Sequence, residues 1–278
     1  MMHRLTLGFS PCPNDTFIFH ALVHGLVPLP AVALSVQLAD VETLNALALD
    51  GALDVAKVSC HALGHLRRDY VLLRSGAALG RGCGPLVVSK RFTSMAELAG
   101  GRVAIPGRLT TAALLLQLHG STFGELVVMP FERIMAAVAE GEVDAGVIIH
   151  ESRFTYVHYG LRQLLDLGQW WEEETGQPIP LGGIVARRSL GHEWIGRFEQ
   201  ALRASVAHAF AHPQDSRSYS KAHAQELADE VIDQHIGLYV NDFSLDLGAE
   251  GSAAVHLLLQ RAEARGLIPP GESPLFLS

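Results

Sequence analysis

The sequence predicts an α/β protein organised as two related lobes. Three observations lead there. Short apolar runs alternate with longer stretches of helical periodicity, the pattern of α/β architecture. A helix–strand segment of the first half recurs, altered, in the second. The 278 residues correspond to roughly two domains at about 150 residues each.

The elements follow in order. Leu5 to Phe9 is an apolar first strand that runs into a Pro/Asn/Asp loop and a helix from about Asp15. Val32 to Leu38 is a second strand, Val41 to Leu49 a helix, and Asp54 to Ser59 a buried strand. Tyr70 to Ser75 and Gly84 to Val88 are further strands. Met95 to Leu98 reads as a short helix capped by Ser94. Arg102 to Ile105 is a strand, Thr111 to Leu118 a helix, and Glu125 to Met129 a strand. Ile134 to Ala139 is a helix and Ala145 to Ile149 a strand. The remainder is mainly helical, with a strand at Gly183 to Ala186.

The repeat joins Leu44–Ser59 to Met135–His150. Each copy reads helix, glycine (Gly51, Gly141), two residues, aspartate (Asp54, Asp144), then a buried strand ending in a polar residue. The glycine suits a helix C-terminus that needs a left-handed residue. Upstream of each copy a strand runs into a loop and a helix start, at Ser10 to Thr16 and at Pro106 to Thr111. Unpaired N–H groups at helix starts attract anions. Ligands of open α/β sheets bind beyond the carboxyl ends of the strands, so two such lobes predict a clamshell with an interdomain cleft. The crossovers are expected near Gly84-Pro85 and Pro180-Leu181. The first lobe is then discontinuous, residues 1–88 plus 182–278, and the second is 89–181.

Composition narrows the partners. Lys and Arg total 21 against 29 Asp and Glu, a net charge of -8. That argues against nucleic acid, whose binders carry a basic excess or patch. Hydrophobic residues are 49% and charged ones 18%, with a mean hydropathy of +0.22. No uninterrupted apolar run reaches the ~20 residues of a membrane span. The nearest, Ala21 to Ala39, is broken by His24, Gly25, Pro28 and Pro30. The apolar excess therefore belongs in a large core or a subunit interface, and a homodimer is an expected partner. Cys12, Cys60 and Cys83 form no CxxC pair, and the opening residues lack a secretory pattern, so a cytoplasmic protein with reduced thiols is expected.

His150 is the sharpest candidate for chemistry, since it ends an apolar strand and an imidazole near its unperturbed pKa of about 6.5 accepts protons at neutral pH. Glu151 next to it points the other way on a strand and is expected in a surface ion pair, with Arg153 as partner. Ser59 ends the matching strand, either donating to a substrate oxygen or bonding its own backbone. Lys57 shares its face and suits a substrate anion or a nearby carboxylate. Thr110, Thr111 and Ala112 open the second-lobe helix, where N–H groups and hydroxyls hold a carboxylate or simply cap the helix. Asn14, Asp15 and Thr16 correspond in the first lobe, with Asn14 or Asp15 expected as the cap. Pro11 and Pro13 stiffen that loop. The signatures GxxxxGK[ST], GxGxxG at a helix start, HExxH and GxSxG are missing. No metal is expected: His61 and His65 are spaced i,i+4 without an evident third ligand and read as a solvated helix face. Gly80 to Gly84 reads as a flexible turn or hinge.

Three stretches carry a resemblance: Ser10-Pro11-Cys12-Pro13-Asn14-Asp15-Thr16-Phe17, Pro106 to Ala112, and His150-Glu151-Ser152-Arg153-Phe154-Thr155-Tyr156. Together they resemble the MqnD family, the 1,4-dihydroxy-6-naphthoate synthases of the futalosine route to menaquinone, over essentially the whole chain. Gly80 to Leu86, Leu167 to Trp171 and Tyr239 to Ser244 share the likeness. The resemblance implies a two-lobed periplasmic-binding-protein-like fold of the second type. It implies a cofactor-free lyase that cleaves cyclic dehypoxanthinylfutalosine, an aromatic carboxylate, to 1,4-dihydroxy-6-naphthoate and dihydroxyacetone. It implies that His150 is the proton acceptor, and that Lys57, Val58, Ser59, Thr111 and Ala112 contact substrate. The runners-up are a non-catalytic solute-binding protein and chorismate dehydratase on the same fold.

Overall fold

In the computed structural model, which describes residues 2–120, 122–224 and 228–277, the chain divides into two units. One is Met1–Gly80 with Pro180–Ser278, the other Arg81–Ile179. The strands are β1 (His3–Phe9), β2 (Val32–Leu38), β3 (Val55–Ser59), β4 (Tyr70–Leu72), β5 (Ala78–Gly80), β6 (Leu86–Ser89), β7 (Arg102–Ile105), β8 (Glu125–Val128), β9 (Ala145–Ile148), β10 (Arg162–Asp166) and β11 (Ile179–Arg187). The helices are α1 (Pro13–Val23), α2 (Val41–Leu49), α3 (Cys60–Leu66), α4 (Thr111–His119), α5 (Phe131–Glu140), α6 (Ser152–Thr155), α7 (Leu167–Thr175), α8 (Gly191–Ala211), α9 (Arg217–His223), α10 (Asp229–Tyr239), α11 (Asp242–Leu245) and α12 (Gly248–Ala264).

The first unit is built on a sheet of order β2-β1-β3-β11-β4, with β5 paired to β11. β1 runs parallel to β2 and β3, while β11 is antiparallel to β3 and β4. Leu5, Leu7 and Phe9 alternate into a core that also takes Phe17, Phe19 and Leu22 of α1 and Phe198, Leu202 and Val206 of α8. The Phe9 and Phe19 rings stack at 4.4 Å. α1 is apolar on most sides and is buried on most sides. The second unit has the order β10-β6-β9-β7-β8, with β7 parallel to β8 and β9. Its separate core gathers Val88, Ala104, Ile134, Val138 and Ile148. Among the described residues no helix is long and apolar enough to cross a membrane.

The sequence repeat has a structural cause. Gly51 and Gly141 follow their helices at φ +67° and +79°, a conformation that costs glycine little. The aspartate three residues on then binds the neighbouring parallel strand. Asp54 Oδ2 accepts from the Thr6 N–H at 2.9 Å and from Thr6 Oγ1 at 2.9 Å, and the Asp54 N–H donates to Thr6 O at 3.1 Å. Asp144 Oδ2 accepts from the Arg102 N–H at 2.8 Å, and the Asp144 N–H donates to Arg102 O at 2.9 Å. Each aspartate thus locks β3 against β1, or β9 against β7, at the first residues of the pair.

Several expectations shift. The division falls at Gly80/Arg81 and Ile179/Pro180 rather than after residues 88 and 181, because β6 hydrogen-bonds to β9 and β10 and so lies in the second sheet. Residues 95–98 form turns instead of a helix. Ser94 Oγ does accept from the Glu97 N–H at 3.4 Å, but Gly100 and Gly101 follow too soon for the turn to propagate. β5 and β10 are too short for periodicity to signal them.

If the two aspartates act as register locks, Asp54→Ala and Asp144→Ala each lose about 1–3 kcal/mol of stability, the usual cost of stranding backbone donors. Urea denaturation checks this. A loss within error of zero for both removes the locking role.

Candidate active site

β1 and β3 are parallel neighbours, so the chain leaves both at the same edge of the first sheet. From β1 it passes through Ser10 and Cys12 into α1. Cys12 takes the N-cap position, at φ -63° and ψ 149°, with Pro13 in the first turn. The expected cap, Asn14 or Asp15, is therefore displaced into the helix. The Cys12 carbonyl already accepts from the Asp15 and Thr16 N–H groups, so the helix begins there. Asp15 folds back instead. Its Oδ2 accepts from Ser10 Oγ at 2.7 Å and the Ser10 N–H at 3.1 Å, and its Oδ1 accepts from Asn14 Nδ2 at 2.9 Å. Lys57 Nζ of β3 lies 3.1 Å from the same Oδ1 and 3.4 Å from Gly76 O. Both side chains are buried, 7% exposed for Lys57 and 1% for Asp15. Of the two roles expected of Lys57, the nearby carboxylate is met, and a third ammonium proton remains beyond these two contacts.

Ser59 closes β3 and is held by Asn45 of α2, not by its own backbone. The Ser59 N–H donates to Asn45 Oδ1 at 2.9 Å, and Asn45 Nδ2 donates to Ser59 Oγ at 3.2 Å. A hydroxyl that accepts keeps its own proton to give. Val58 is fully buried and has no polar side-chain atom to contribute. Cys60, next in line, is inert: burial pushes its thiol up to about 12, slightly opposed by Lys57. Burial does the same to Cys83, also to about 12.

In the second unit β7 and β9 are likewise parallel, so α4 and the chain after β9 start from one edge. Thr110 caps α4 at φ -72° and ψ 148°. Its Oγ1 accepts from the Ala113 N–H at 3.2 Å and donates to Gly107 O at 2.9 Å. The Thr110 hydroxyl is therefore committed to the helix. Thr111 and Ala112 follow as the first helical residues, both buried. The first turn of α4 carries no acidic residue, so its N–H dipoles are not offset by a local charge.

His150 sits two residues beyond the end of β9, in a turn rather than on the strand, because β9 stops at Ile148. Its φ is +58°, a left-handed conformation that few non-glycine residues adopt and that recurs at functional sites. The Phe131 ring at the start of α5 faces the imidazole at 5.1 Å, tilted by 33°. The His150 carbonyl accepts from the Arg153 N–H at 3.2 Å. Glu151 is buried, not a surface partner of Arg153. Arg153 turns instead to Asp166 at 2.6 Å and Gly84 O at 2.6 Å, and Asp166 also caps α7. Leaving β9 in a left-handed turn breaks the strand alternation that placed Glu151 outside.

His61 is 4% exposed, so the pair with His65 is no solvated face: α3 packs against α12 and the C-terminal residues. Burial lowers the His65 pKa, with Arg67 adding to the effect. Among the described residues no cluster of three or more His, Cys, Asp or Glu has the geometry of a metal site. Sequence reasoning missed Asn45, Phe131, Asp166 and His235, which reaches Asn14. Asn45 alone carried a signal, a polar residue on the apolar face of a helix.

Removing Asp15 leaves a buried ammonium without its counter-charge. Asp15→Ala should cost about 3–5 kcal/mol, while Asp15→Leu with Lys57→Met should cost far less. Equilibrium unfolding separates them. Equal losses would show that packing, not charge, holds this corner.

The sequence profile described as menaquinone biosynthesis matches residues 5–264. A Thermus thermophilus protein named 1,4-dihydroxy-6-naphthoate synthase is 57% identical over 99% of this chain and all of its own length. A Streptomyces coelicolor protein of the same name is 53% identical over 95% of each. A crystal structure of an Archaeoglobus fulgidus protein superposes with a TM-score of 0.90 at 40% identity, covering 96% of this chain and 99% of its own. The alkanesulfonate-binding protein SsuA of Xanthomonas axonopodis pv. citri, bound to MOPS, superposes at 0.71 with 16% identity over 96% and 95%, which shows the fold alone. The fold is thus the two-lobed, periplasmic-binding-protein-like α/β fold, here in an enzyme lineage, and the chain belongs to the menaquinone-biosynthesis family.

Proposed function

We propose that the protein is a carbon–carbon lyase that converts cyclic dehypoxanthinylfutalosine to 1,4-dihydroxy-6-naphthoate and dihydroxyacetone. The observation that carries this reading is full-length identity of 57% to a protein named for that product. Within this reading each candidate residue has a part. The His150 ring nitrogen takes a hydroxyl proton from the sugar-derived ring. The oxygen becomes a carbonyl as the adjacent carbon–carbon bond breaks, in a retro-aldol step. The electron pair of that bond is received by the three-carbon fragment as an enolate, which takes up a proton and leaves as dihydroxyacetone, while the new ring ketone tautomerises to the aromatic diol. Aromatisation supplies the driving force. The start of α4, through the N–H groups of Thr111 and Ala112, binds the substrate carboxylate, with Thr110 holding the helix end in shape. Asn14, Lys57 and Ser59 hold its oxygens, and Val58 fixes the strand between the last two. Free thiols at Cys12, Cys60 and Cys83 go with a cytosolic location for such an enzyme.

The deciding assay incubates the protein separately with cyclic dehypoxanthinylfutalosine and with chorismate and follows absorbance and mass. Naphthoate from the first supports the reading. Substrate recovered unchanged would indicate solute binding, and turnover of chorismate alone the dehydratase. Within the naphthoate reaction, His150→Ala should keep the fold but cut turnover by ~10²-fold or more, the scale of acid–base loss. Near-normal turnover in a folded variant removes His150 from this role. Thr111 is the first helical residue of α4, where proline is tolerated, and Thr110 already has the extended backbone that precedes proline. Thr111→Pro should therefore raise KM about tenfold by deleting one N–H contact to a charged group, and Thr111→Val should raise it less. An unchanged KM in the proline variant excludes backbone binding there.

A further inference from the structure

His235 lies on α10, 1% exposed, with Nε2 2.9 Å from Asn14 Oδ1. The other end of that amide, Asn14 Nδ2, is 2.9 Å from Asp15 Oδ1. A carboxylate paired with Lys57 only accepts hydrogen bonds, so the amide must present its NH2 to Asp15 and its oxygen to His235. The ring nitrogen that meets this oxygen must then carry a proton. Donors and acceptors run in one order: His235 Nε2–H to Asn14, Asn14 N–H to Asp15, with Lys57 donating to Asp15 from the other side. The Tyr239 ring, 4.7 Å from the imidazole on the same helix, restricts its rotation.

We propose that His235 is a positioning residue: by donating from Nε2 it holds the Asn14 amide in the one orientation that serves Asp15 and, through Asp15, fixes the Lys57 ammonium for substrate. The inference rests on the proposed function only in taking Asn14 and Lys57 as substrate contacts. Without the donor, the Asn14 oxygen loses its partner, and the amide is held at one end only, which lets it swing away from Asp15 and loosens the anchor of Lys57.

Three measurements test it. His235→Phe keeps the ring and its neighbour but removes the donor, and should raise KM about tenfold, the scale of one buried hydrogen bond, with kcat within about twofold. His235→Gln places an amide N–H near the Nε2 position and should return KM to within about threefold of the parent. In an Asn14→Ala background, His235→Phe should change KM no further, since the two act as a unit. An unchanged KM in His235→Phe, a glutamine variant as impaired as the phenylalanine one, or additive effects would overturn the proposal. Ring nitrogen NMR, with the His235 signals assigned by their loss in His235→Gln, reads the same claim without substrate or the phenylalanine variant. Nε2 should be protonated, and its shift should move in Asn14→Ala. An unprotonated Nε2 overturns the proposal. If the parent fails to turn over the proposed substrate, the functional reading falls while the NMR result still decides the proton placement.

Discussion

The register of two parallel strand pairs governs everything at the candidate site, and two aspartates set it. Asp54 binds the Thr6 backbone, and Asp144 binds that of Arg102, each from the first residues after a helix. Slipping a strand by one residue turns every side chain to the opposite face. A slip of β3 would take Lys57 away from Asp15 and Ser59 away from Asn45. A slip of β9 would displace the turn that carries His150. The lock lies at the amino ends of β3, β7 and β9, while the candidate residues lie at or beyond the carboxyl ends of β3 and β9.

At the carboxyl edge the chain carries two arrangements that are costly in themselves. A buried lysine and aspartate lose hydration, and their attraction offsets this only with further hydrogen bonds. Here Ser10, Asn14 and Gly76 supply them. In the second unit, His150 adopts a left-handed backbone near a half-buried Arg153, which pairs with the buried Asp166 and also grips Gly84 O. That pair ties the chain after β9 to the end of β10 and to the segment before β6. Both arrangements hold polar groups in fixed positions, the condition under which binding has a low ordering cost.

The fold was legible wherever a pattern persisted over enough residues. β2, α2 and β7 emerged with the boundaries read from the sequence, and the Gly-x-x-Asp repeat exposed the two-lobed plan. The short strands β5 and β10 carry too few alternations to be seen. The lobe boundary moved because Leu86 to Val88 reads as strand under either assignment, and only the pairing partner tells which sheet takes it. Among the proposed site residues, His150, Lys57 and Ser59 stand out by residue type and place. Their partners do not, since contacts such as His235 with Asn14 span 221 positions and leave no local trace. Glu151 was misjudged because strand alternation was carried one residue past the point where the backbone turns left-handed.

The most direct test of the central claim, that the imidazole after β9 works beside the start of α4, is a crystal structure with 1,4-dihydroxy-6-naphthoate bound. The account predicts a ring hydroxyl within about 3.2 Å of a His150 nitrogen. It also predicts the carboxylate within hydrogen-bonding distance of the Ala112 N–H. Naphthoate seated elsewhere, or bound with its hydroxyls remote from His150, would contradict it.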